Sequence, residues 1–290
     1  MNVLVTGATG MFGSSLVDAL DRSGVDVLAM TRSKSSAQKL TRGNVTGVVG
    51  DLDDPSSLPA LMERADRMFL VSPIHPELGR REIMAIEAAE TSGIAQVVKL
   101  FGAVRHEGDP LDTQHQMSLD ALASCSVPWT IVSPQTVMET NLLGQIEGIK
   151  HENSMYASAG DGRIGMVALC DCIEVAAIVL QADPTKWAGA NLEITGPAAL
   201  TYSEIADEMG RALGRPVSYV DMPEKEFAAM LIEYGFPDDE DLDLQVLCHF
   251  RQMRSNKANL VTNTFQELAG RPATSIYEWT LAHRELFANV

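Results

Sequence analysis

The chain has 290 residues, of which 46% are hydrophobic, so it can bury a large core as one elaborated domain. Its net charge of −17 disfavours nucleic acid and anionic membranes as binding partners. No segment approaches the roughly 20 apolar residues of a membrane span, and the amino terminus lacks the pattern of a signal peptide, so we expect a cytoplasmic protein.

The spacing of the cysteines fits no paired metal-binding pattern. The four cysteines are Cys125, Cys170, Cys172 and Cys248. Because a free cysteine behaves as a small apolar side chain, we interpret all four as buried thiols and predict no metal site.

The amino-terminal stretch has the pattern of a phosphate-binding loop. An apolar strand runs into three glycines spaced three apart, and an amphipathic helix follows. This spacing allows a tight strand-to-helix turn, a close approach of a pyrophosphate and close packing of the helix, whose amino end attracts anions. The alternative is a glycine-rich turn without a ligand. The residues predicted to contact a dinucleotide are Gly7, Thr9, Gly10, Met11, Phe12 and Gly13.

A basic segment follows the second predicted strand. Residues 27–50 contain no acid, and Arg32 and Lys34 lie within them. In dinucleotide-binding folds an acid at the position of Arg32 bonds the ribose 2′-hydroxyl, whereas an arginine accommodates a 2′-phosphate. One charge-assisted bond contributes about 1.5–3 kcal/mol, a roughly tenfold to hundredfold preference. We therefore predict NADP(H) as the cofactor; the alternative is a solvated basic turn.

Strands and helices alternate as far as residue 100. Further strands are predicted at 46–49, 67–71 and 97–100, and helices at 57–65 and 78–92. Nearly uncharged strands between amphipathic helices indicate an α/β fold with a doubly wound parallel sheet of Rossmann type, whose ligands lie beyond the carboxyl ends of the strands. The residues that this fold places along one crevice are Asp51, Leu52, Ser72, Pro73, Phe101, Gly102 and Ala103.

Several polar residues precede predicted helices and are candidates for helix caps. Asp51 bonds the adenine amino group or, alternatively, belongs to a 51–54 segment that caps the next helix. Asp171 is the predicted cap of a helix that extends to 181. Thr201 begins a capping-box pattern, and its helix is expected to end near Gly214.

Motifs in both halves of the chain resemble a known family. The TGATGMFG loop, the arginine after the second strand and the VPWTIVSP segment at 127–134 are similar to the NmrA-like, atypical branch of the short-chain dehydrogenase/reductase family. METN at 138–141 and GDGR at 160–163 resemble further motifs of this branch. The similarity extends over essentially the whole chain and looks strongest to bacterial NADPH-dependent quinone and triphenylmethane-dye reductases.

The resemblance implies an NADP-binding Rossmann domain over 1–150, to which segments of 164–195 also belong. It further implies a smaller, mostly helical substrate lobe over 196–290. It also implies that Pro134 and Thr136 close the nicotinamide site and that Phe101, Met138 and Asn141 face the substrate. For the predicted helix that carries the last two residues, the alternative is an ordinary polar face. The apolar helices near the carboxyl terminus either cover a planar ligand or form plain core.

The chain departs from the wider family in its catalytic residues. None of its five tyrosines has a lysine four residues later, which disfavours alcohol dehydrogenation and sugar epimerisation. The resemblance instead implies an active-site role for His115. We expect it in the first turn of a helix capped by Asp112 or Thr113, where a neutral imidazole can donate to a carbonyl or quinone oxygen. The alternative is a surface histidine.

These features together predict an NADPH-dependent oxidoreductase that transfers hydride to a small conjugated acceptor, quinone-like or dye-like. One alternative is a catalytically silent NADP(H)-binding redox sensor of NmrA type with a regulatory protein partner. A second is an enzyme similar to isoflavone and pinoresinol reductases. The expected partner is a small-molecule substrate, and a homodimer stays open.

Overall fold

The computed structural model describes residues 1–103, 108, 110–237 and 240–288. The chain divides into two units. The first comprises residues 1–101, 110–133 and 172–192. The second comprises the described residues of 102–109, 134–171 and 193–290. Residues 134–150, predicted as part of the nucleotide-binding domain, therefore group with the second unit.

The strands are, in chain order, β1 (Asn2–Val5), β2 (Asp26–Thr31), β3 (Val45–Val49), β4 (Arg67–Leu70), β5 (Gln96–Leu100), β6 (Trp129–Pro134), β7 (Ser154–Ala157), β8 (Ala190–Ile194) and β9 (Ser218–Asp221). The helices are α1 (Met11–Arg22), α2 (Lys34–Leu40), α3 (Pro59–Met62), α4 (Leu78–Ser92), α5 (Pro110–Ser124), α6 (Met138–Leu142), α7 (Ile146–Glu152), α8 (Leu169–Gln181), α9 (Tyr202–Leu213), α10 (Glu224–Glu233), α11 (Glu240–Leu242), α12 (Cys248–Arg254), α13 (Thr264–Ala269) and α14 (Ile276–Ala282). Short 3₁₀ turns occupy Pro55–Ser57, Leu143–Gln145 and Arg284–Phe287, and a π-helical turn occupies Asp243–Leu247.

Seven strands of the described chain form one sheet in the order β3-β2-β1-β4-β5-β6-β8. The strands β1 to β6 pair parallel. Their order is that of a Rossmann fold, in which the strand order reverses beside β1. Val5, the last residue of β1, pairs with Ala29 of β2 and Phe69 of β4, so the carboxyl ends of these strands lie side by side. The predicted doubly wound α/β fold is confirmed.

Burial explains why these segments form strands. Val3, Leu4 and Val5 have no exposed surface, as expected for a parallel strand covered on both faces. The second unit has its own apolar core, in which Trp279 and Tyr202 are the largest buried side chains. In that unit β7 and β9 form a separate parallel pair.

Two predicted helices have the expected bounds because their ends carry strong signals. The helix predicted at 78–92 is α4, and Gly93 ends it in the left-handed conformation. Thr201 forms the predicted capping box with Glu204: its hydroxyl accepts from the Glu204 N–H, and the Glu204 carboxylate accepts from the Thr201 N–H. Gly214 ends that helix, also with positive φ.

Three predicted helices differ in the structure. The helix predicted at 57–65 is the Pro55–Ser57 turn followed by the four-residue α3, because two prolines limit the backbone donors. The helix predicted from Met138 is split into α6 and α7. Asp171 is not a cap: α8 begins at Leu169, and the buried Asp171 carboxylate accepts from the N–H and hydroxyl of Thr274 at 2.6 and 3.0 Å.

The carboxyl-terminal apolar residues divide between core and surface. Phe227, Phe250 and Met253 are buried in the core of the second unit, whereas Tyr234 and Phe236 are exposed. Three of these five apolar residues therefore belong to the hydrophobic core. No helix among the described residues is both long and apolar enough to cross a membrane.

Cys170 corrects the prediction that all four cysteines are buried. Its side chain is exposed, although the next two residues of the first turn of α8, Asp171 and Cys172, are buried. Cys172 and Cys248 are buried as predicted, and Cys125 is half-buried.

Candidate active site

The glycine loop is packed so closely that two of its three glycines admit no side chain. Gly7 has a φ of +56°, and its carbonyl oxygen accepts the Gly10 N–H at 2.9 Å. A Cβ at Gly13 would lie 2.2 Å from the Gly7 carbonyl oxygen. A Cβ at Gly7 would lie 3.0 Å from the Val71 carbonyl oxygen. The loop therefore needs glycine at position 7 for its backbone and at position 13 for space.

The amino end of α1 is suited to an anion. Gly10 precedes the helix without a side-chain cap, and the first turn, which contains Met11 and Phe12, holds no acid. The first N–H groups of this 12-residue helix are therefore left to an external acceptor. They carry about half a positive charge, which fits the diphosphate of a dinucleotide.

An open cavity of about 130 Å³ lies at the carboxyl ends of β1, β2 and β3. Six of the residues predicted to bind the cofactor line it: Gly7, Thr9, Arg32, Asp51, Leu52 and Pro73. Small-molecule pockets usually measure roughly 300–1,000 Å³, so this cavity fits one end of a dinucleotide. Its position beside β2 and β3 corresponds to the adenosine end in Rossmann folds.

Arg32 is the cation of this cavity wall that has no partner among the described residues. Its side chain is exposed at the cavity wall and makes no hydrogen bond or ion pair with the described residues. The next residue, Ser33, caps α2 by accepting the Ser36 N–H, and this fixes the course of the chain just after Arg32. Lys34, the first residue of α2, is also exposed. The Arg32 guanidinium is thus open to an anionic ligand.

A second arginine in the cavity wall was not predicted. Arg81 bonds both carboxylate oxygens of Asp53, at 2.8 and 2.7 Å, and Arg80 bonds one of them at 2.7 Å. The hydrogen bonds from Arg81 lower the pKa of Asp53, and together with the charges of Arg81 and Arg80 they outweigh the opposing effect of burial. Asp53 neutralises Arg81, and Arg80 also pairs with Glu77 at 2.6 Å, so both arginines have carboxylate partners, in contrast to Arg32. Sequence spacing alone gives no signal for this pairing, because its partners lie in different elements.

Of the two functions considered for Asp51, helix capping is carried out by Asp54. The Asp54 carboxylate accepts the Ser56 N–H at 3.1 Å and caps the 3₁₀ turn. The Asp51 carboxylate accepts the Asp53 N–H at 3.0 Å, and Asp51 lines the cavity. Helix capping thus belongs to Asp54, and contact of Asp51 with adenine stays a prediction.

A buried polar cluster lies beside β4 and β5. The Ser72 hydroxyl donates to Glu82 Oε1 at 2.9 Å, and Lys99 Nζ donates to Glu82 Oε2 at 2.5 Å. Ser72 was predicted as a cofactor contact, whereas Glu82 and Lys99 were not identified. The one available signal was a lysine within the otherwise uncharged strand QVVKL.

Phe101 and His115 form an edge-to-face aromatic pair, with ring centroids 4.7 Å apart and planes at 74°. His115 is half-buried. The predicted helix start is wrong, because α5 begins at Pro110, a residue suited to a first turn. His115 therefore lies in the second turn, and Asp112 and Thr113 lie inside the helix rather than at its cap.

The remaining residues predicted for the nicotinamide belong to the second unit. Ala103 N–H donates to the Pro134 carbonyl at 2.9 Å, and Gly102 is exposed with open space around its α-carbon. Thr136 donates its N–H and its hydroxyl to Gln135 Oε1. Their contact with the cofactor stays a prediction.

The predicted substrate residues of α6 are engaged within the second unit. Met138 has no exposed surface and packs in the core. The Asn141 amide donates to the Val137 carbonyl at 3.0 Å, and its oxygen accepts from the Tyr202 hydroxyl at 3.3 Å. These contacts favour a structural role for both residues. Contact of Met138 and Asn141 with the substrate stays a prediction, and the burial of Met138 does not support it.

Across the described part of the chain, no group of three or more His, Cys, Asp or Glu side chains could hold a metal ion.

The family model described as NAD(P)H-binding matches residues 7–158, which is more than half of the chain. The chain belongs to the NAD(P)H-binding family. The matched range includes the glycine loop, Arg32, Ser72 and His115, and it agrees with the family resemblance found in the sequence. NAD(P)H is therefore the cofactor that this fold holds, and the loop, the helix end and the Arg32 cavity fit it chemically.

Curated relatives match over nearly the full length. The NAD(P)H azoreductase of Xenophilus azovorans is 29% identical over 297 residues, covering 98% of this chain and 99% of that protein. The (4-alkanoyl-5-oxo-2,5-dihydrofuran-3-yl)methyl phosphate reductase of Streptomyces griseus is 32% identical, covering 99% of both chains. Quinone oxidoreductase 2 of Escherichia coli is 25% identical, covering 95% of this chain and 96% of that protein.

The fold is also that of a solved structure. The triphenylmethane reductase of Citrobacter sp., solved with NADP(H), superposes with a TM-score of 0.85 at 19% identity, covering 98% of this chain and 99% of that chain. At this identity the match concerns the fold. It agrees with the Rossmann strand order found here.

Proposed function

We propose that the protein is an NADPH-dependent oxidoreductase that transfers hydride to a small conjugated acceptor such as a quinone or an azo dye. The proposal is carried by Arg32, which lines the same cavity as the glycine loop and is not neutralised by any described residue. The relatives named azoreductase and quinone oxidoreductase 2 support this acceptor class.

Each end of the cofactor would meet different residues. The N–H groups at the start of α1 would hold the diphosphate, and Arg32 with Lys34 would hold the 2′-phosphate. On the β4–β5 side, Ser72 and Pro73 would adjoin the nicotinamide. When bound, NADPH supplies the hydride.

His115 is the residue proposed to contact the acceptor. Its imidazole would donate a hydrogen bond to the acceptor oxygen, and the edge-to-face contact with Phe101 would hold the ring in place. A quinone accepts hydride readily, and the reduced product can take its proton from water. A strongly acidic tyrosine paired with lysine is therefore not required for this acceptor class.

The proposal is tested by following the loss of NADPH absorbance in the presence of a panel of quinones, azo dyes, triphenylmethane dyes and enones. We expect turnover with quinones or dyes and a kcat/KM for NADPH at least about tenfold above that for NADH. Binding of NADPH without oxidation by any acceptor would contradict the proposal and favour a sensor. Turnover of enones alone would favour a phenolic reductase.

A further inference from the structure

The buried Glu82–Lys99 ion pair lies outside the Arg32 cavity, on the β4–β5 side of the sheet. The two side chains are 2% and 0% exposed. Lys99 pairs with Leu70, the last residue of β4, and Ser72 follows two residues later. All three polar side chains therefore lie at the carboxyl edge, where Rossmann folds bind their ligands.

Stability alone does not account for this pair. Removing two charges from water is costly, and replacing a buried ion pair by apolar side chains is often neutral or stabilising. Lys99 is the one charge in β5, and Glu82 is the one buried acid of α4. Buried ionisable groups of this kind concentrate at functional sites. The half-buried Ser72 is the member of the cluster that a ligand can reach.

The cluster fixes the direction of the hydrogen bond that Ser72 makes. An ionised carboxylate only accepts hydrogen bonds, and a lysine ammonium only donates them. Glu82, held by Lys99, therefore takes the single hydroxyl proton of Ser72. The Ser72 oxygen keeps its lone pairs and can act toward a ligand only as an acceptor.

We propose that the Glu82–Lys99 pair positions the Ser72 hydroxyl as an acceptor for the carboxamide N–H of the nicotinamide. This inference rests on the proposed function. Val71 and Pro73 line the Arg32 cavity, whereas the hydroxyl of Ser72 between them turns to Glu82. Lys99 Nζ of the same cluster lies 6.0 Å from the centroid of the Phe101 ring. An acceptor-only hydroxyl selects the carboxamide NH₂ over its carbonyl. The ring is thereby held with one of its two C4 hydrogens toward the acceptor, and Glu82 and Lys99 are positioning residues.

The variants that test this proposal separate positioning from packing. S72A removes the hydroxyl, and E82Q/K99M removes both charges without leaving one of them buried alone, which would destabilise the fold. E90Q is the matched control, because Glu90 lies on the same helix but is exposed and accepts from Ser126. Thermal unfolding establishes that each variant is folded.

We expect S72A and E82Q/K99M to bind NADPH with a Kd within about twofold of wild type, because Arg32 and the glycine loop are intact. Their kcat should fall about tenfold or more, since small misplacements of reacting groups have large effects. With NADPH deuterated at one or the other C4 position, S72A and E82Q/K99M should form NADP⁺ that has lost part of its C4 deuterium from either label, whereas wild type and E90Q should remove hydrogen from one position only. Adding S72A to E82Q/K99M should cause no further loss.

The proposal would be overturned if E82Q/K99M kept the kcat of wild type and transferred hydride from one C4 position only. It would also be overturned if S72A lowered kcat equally in wild type and in E82Q/K99M. A second measurement, the fluorescence anisotropy decay of bound NADPH, reports the mobility of the nicotinamide and needs no turnover. A more mobile nicotinamide in S72A and E82Q/K99M than in wild type supports the proposal. This holds even if none of the acceptors is reduced by wild type, in which case only the proposed function fails. Identical decay in all variants, or no NADPH binding, would overturn it.

Discussion

Gly13 lies against Gly7 so closely that a methyl group at position 13 would sit 2.2 Å from the Gly7 carbonyl oxygen. The same carbonyl accepts the Gly10 N–H. This arrangement fixes the turn between β1 and α1 and aims the first N–H groups of the helix out of the loop. The close approach of two glycines therefore shapes the loop that we propose as the diphosphate site.

Gly13→Ala should destabilise the protein and weaken NADPH binding. Helix propensity alone would favour alanine by about 1 kcal/mol, but the clash should cost roughly 1–3 kcal/mol more than this gain. Thermal unfolding and NADPH titration measure both effects. Gly144→Ala is the control, because its added Cβ meets no atom within 4 Å. Equal unfolding temperatures for the two variants would contradict the packing argument.

Arg32→Ala should raise the Kd for NADPH about tenfold to a hundredfold and leave that for NADH nearly unchanged. The loss corresponds to one charge-assisted phosphate contact. Calorimetric titration with both nucleotides measures it. The control is Lys39→Ala, which removes an exposed cation in the last turn of α2, the helix that follows Arg32. Equal losses for NADPH and NADH would refute the 2′-phosphate contact.

His115→Ala should lower kcat for quinone reduction about tenfold to a hundredfold, because a hydrogen-bond donor to the acceptor is lost. The Kd for NADPH should not change. His151→Ala removes an exposed histidine of the second unit and should leave both quantities at wild-type values. Unchanged kcat in His115→Ala would return His115 to the surface-histidine interpretation.

Acid should destabilise the second unit partly through Asp221. Burial raises the pKa of Asp221, but hydrogen bonds from Tyr219, the Gly160 N–H and Arg254 outweigh it and leave the pKa below 3.8. A depressed folded-state pKa stabilises the protein above the unfolded value, and this contribution is lost as pH falls through the folded value.

Asp221→Asn should accordingly lower Tm at neutral pH and lose less Tm than wild type below about pH 4. Melting curves across that range check the slope. Asp161→Asn, at an exposed carboxylate without a hydrogen bond to the described residues, should keep the wild-type slope. Parallel curves for wild type and Asp221→Asn would exclude this contribution.

Local signals predicted the fold well, and tertiary pairing explains the differences. Apolar strands, the Thr201 capping box and the glycine at the end of α4 can be recognised in the sequence, because each of these signals lies within one short segment. The start of α5 was misplaced because Pro110 extends the helix ahead of the expected caps. Glu82 and Lys99 were not found because they lie in different elements, and only the packed sheet brings them together.

The most direct test of the account is a crystal structure with NADPH bound. We predict the 2′-phosphate within hydrogen-bond distance of the Arg32 guanidinium, the diphosphate at the amino end of α1 and the carboxamide N–H directed at the Ser72 oxygen. A dinucleotide bound away from the glycine loop, or a 2′-phosphate without contact to Arg32, would contradict the account.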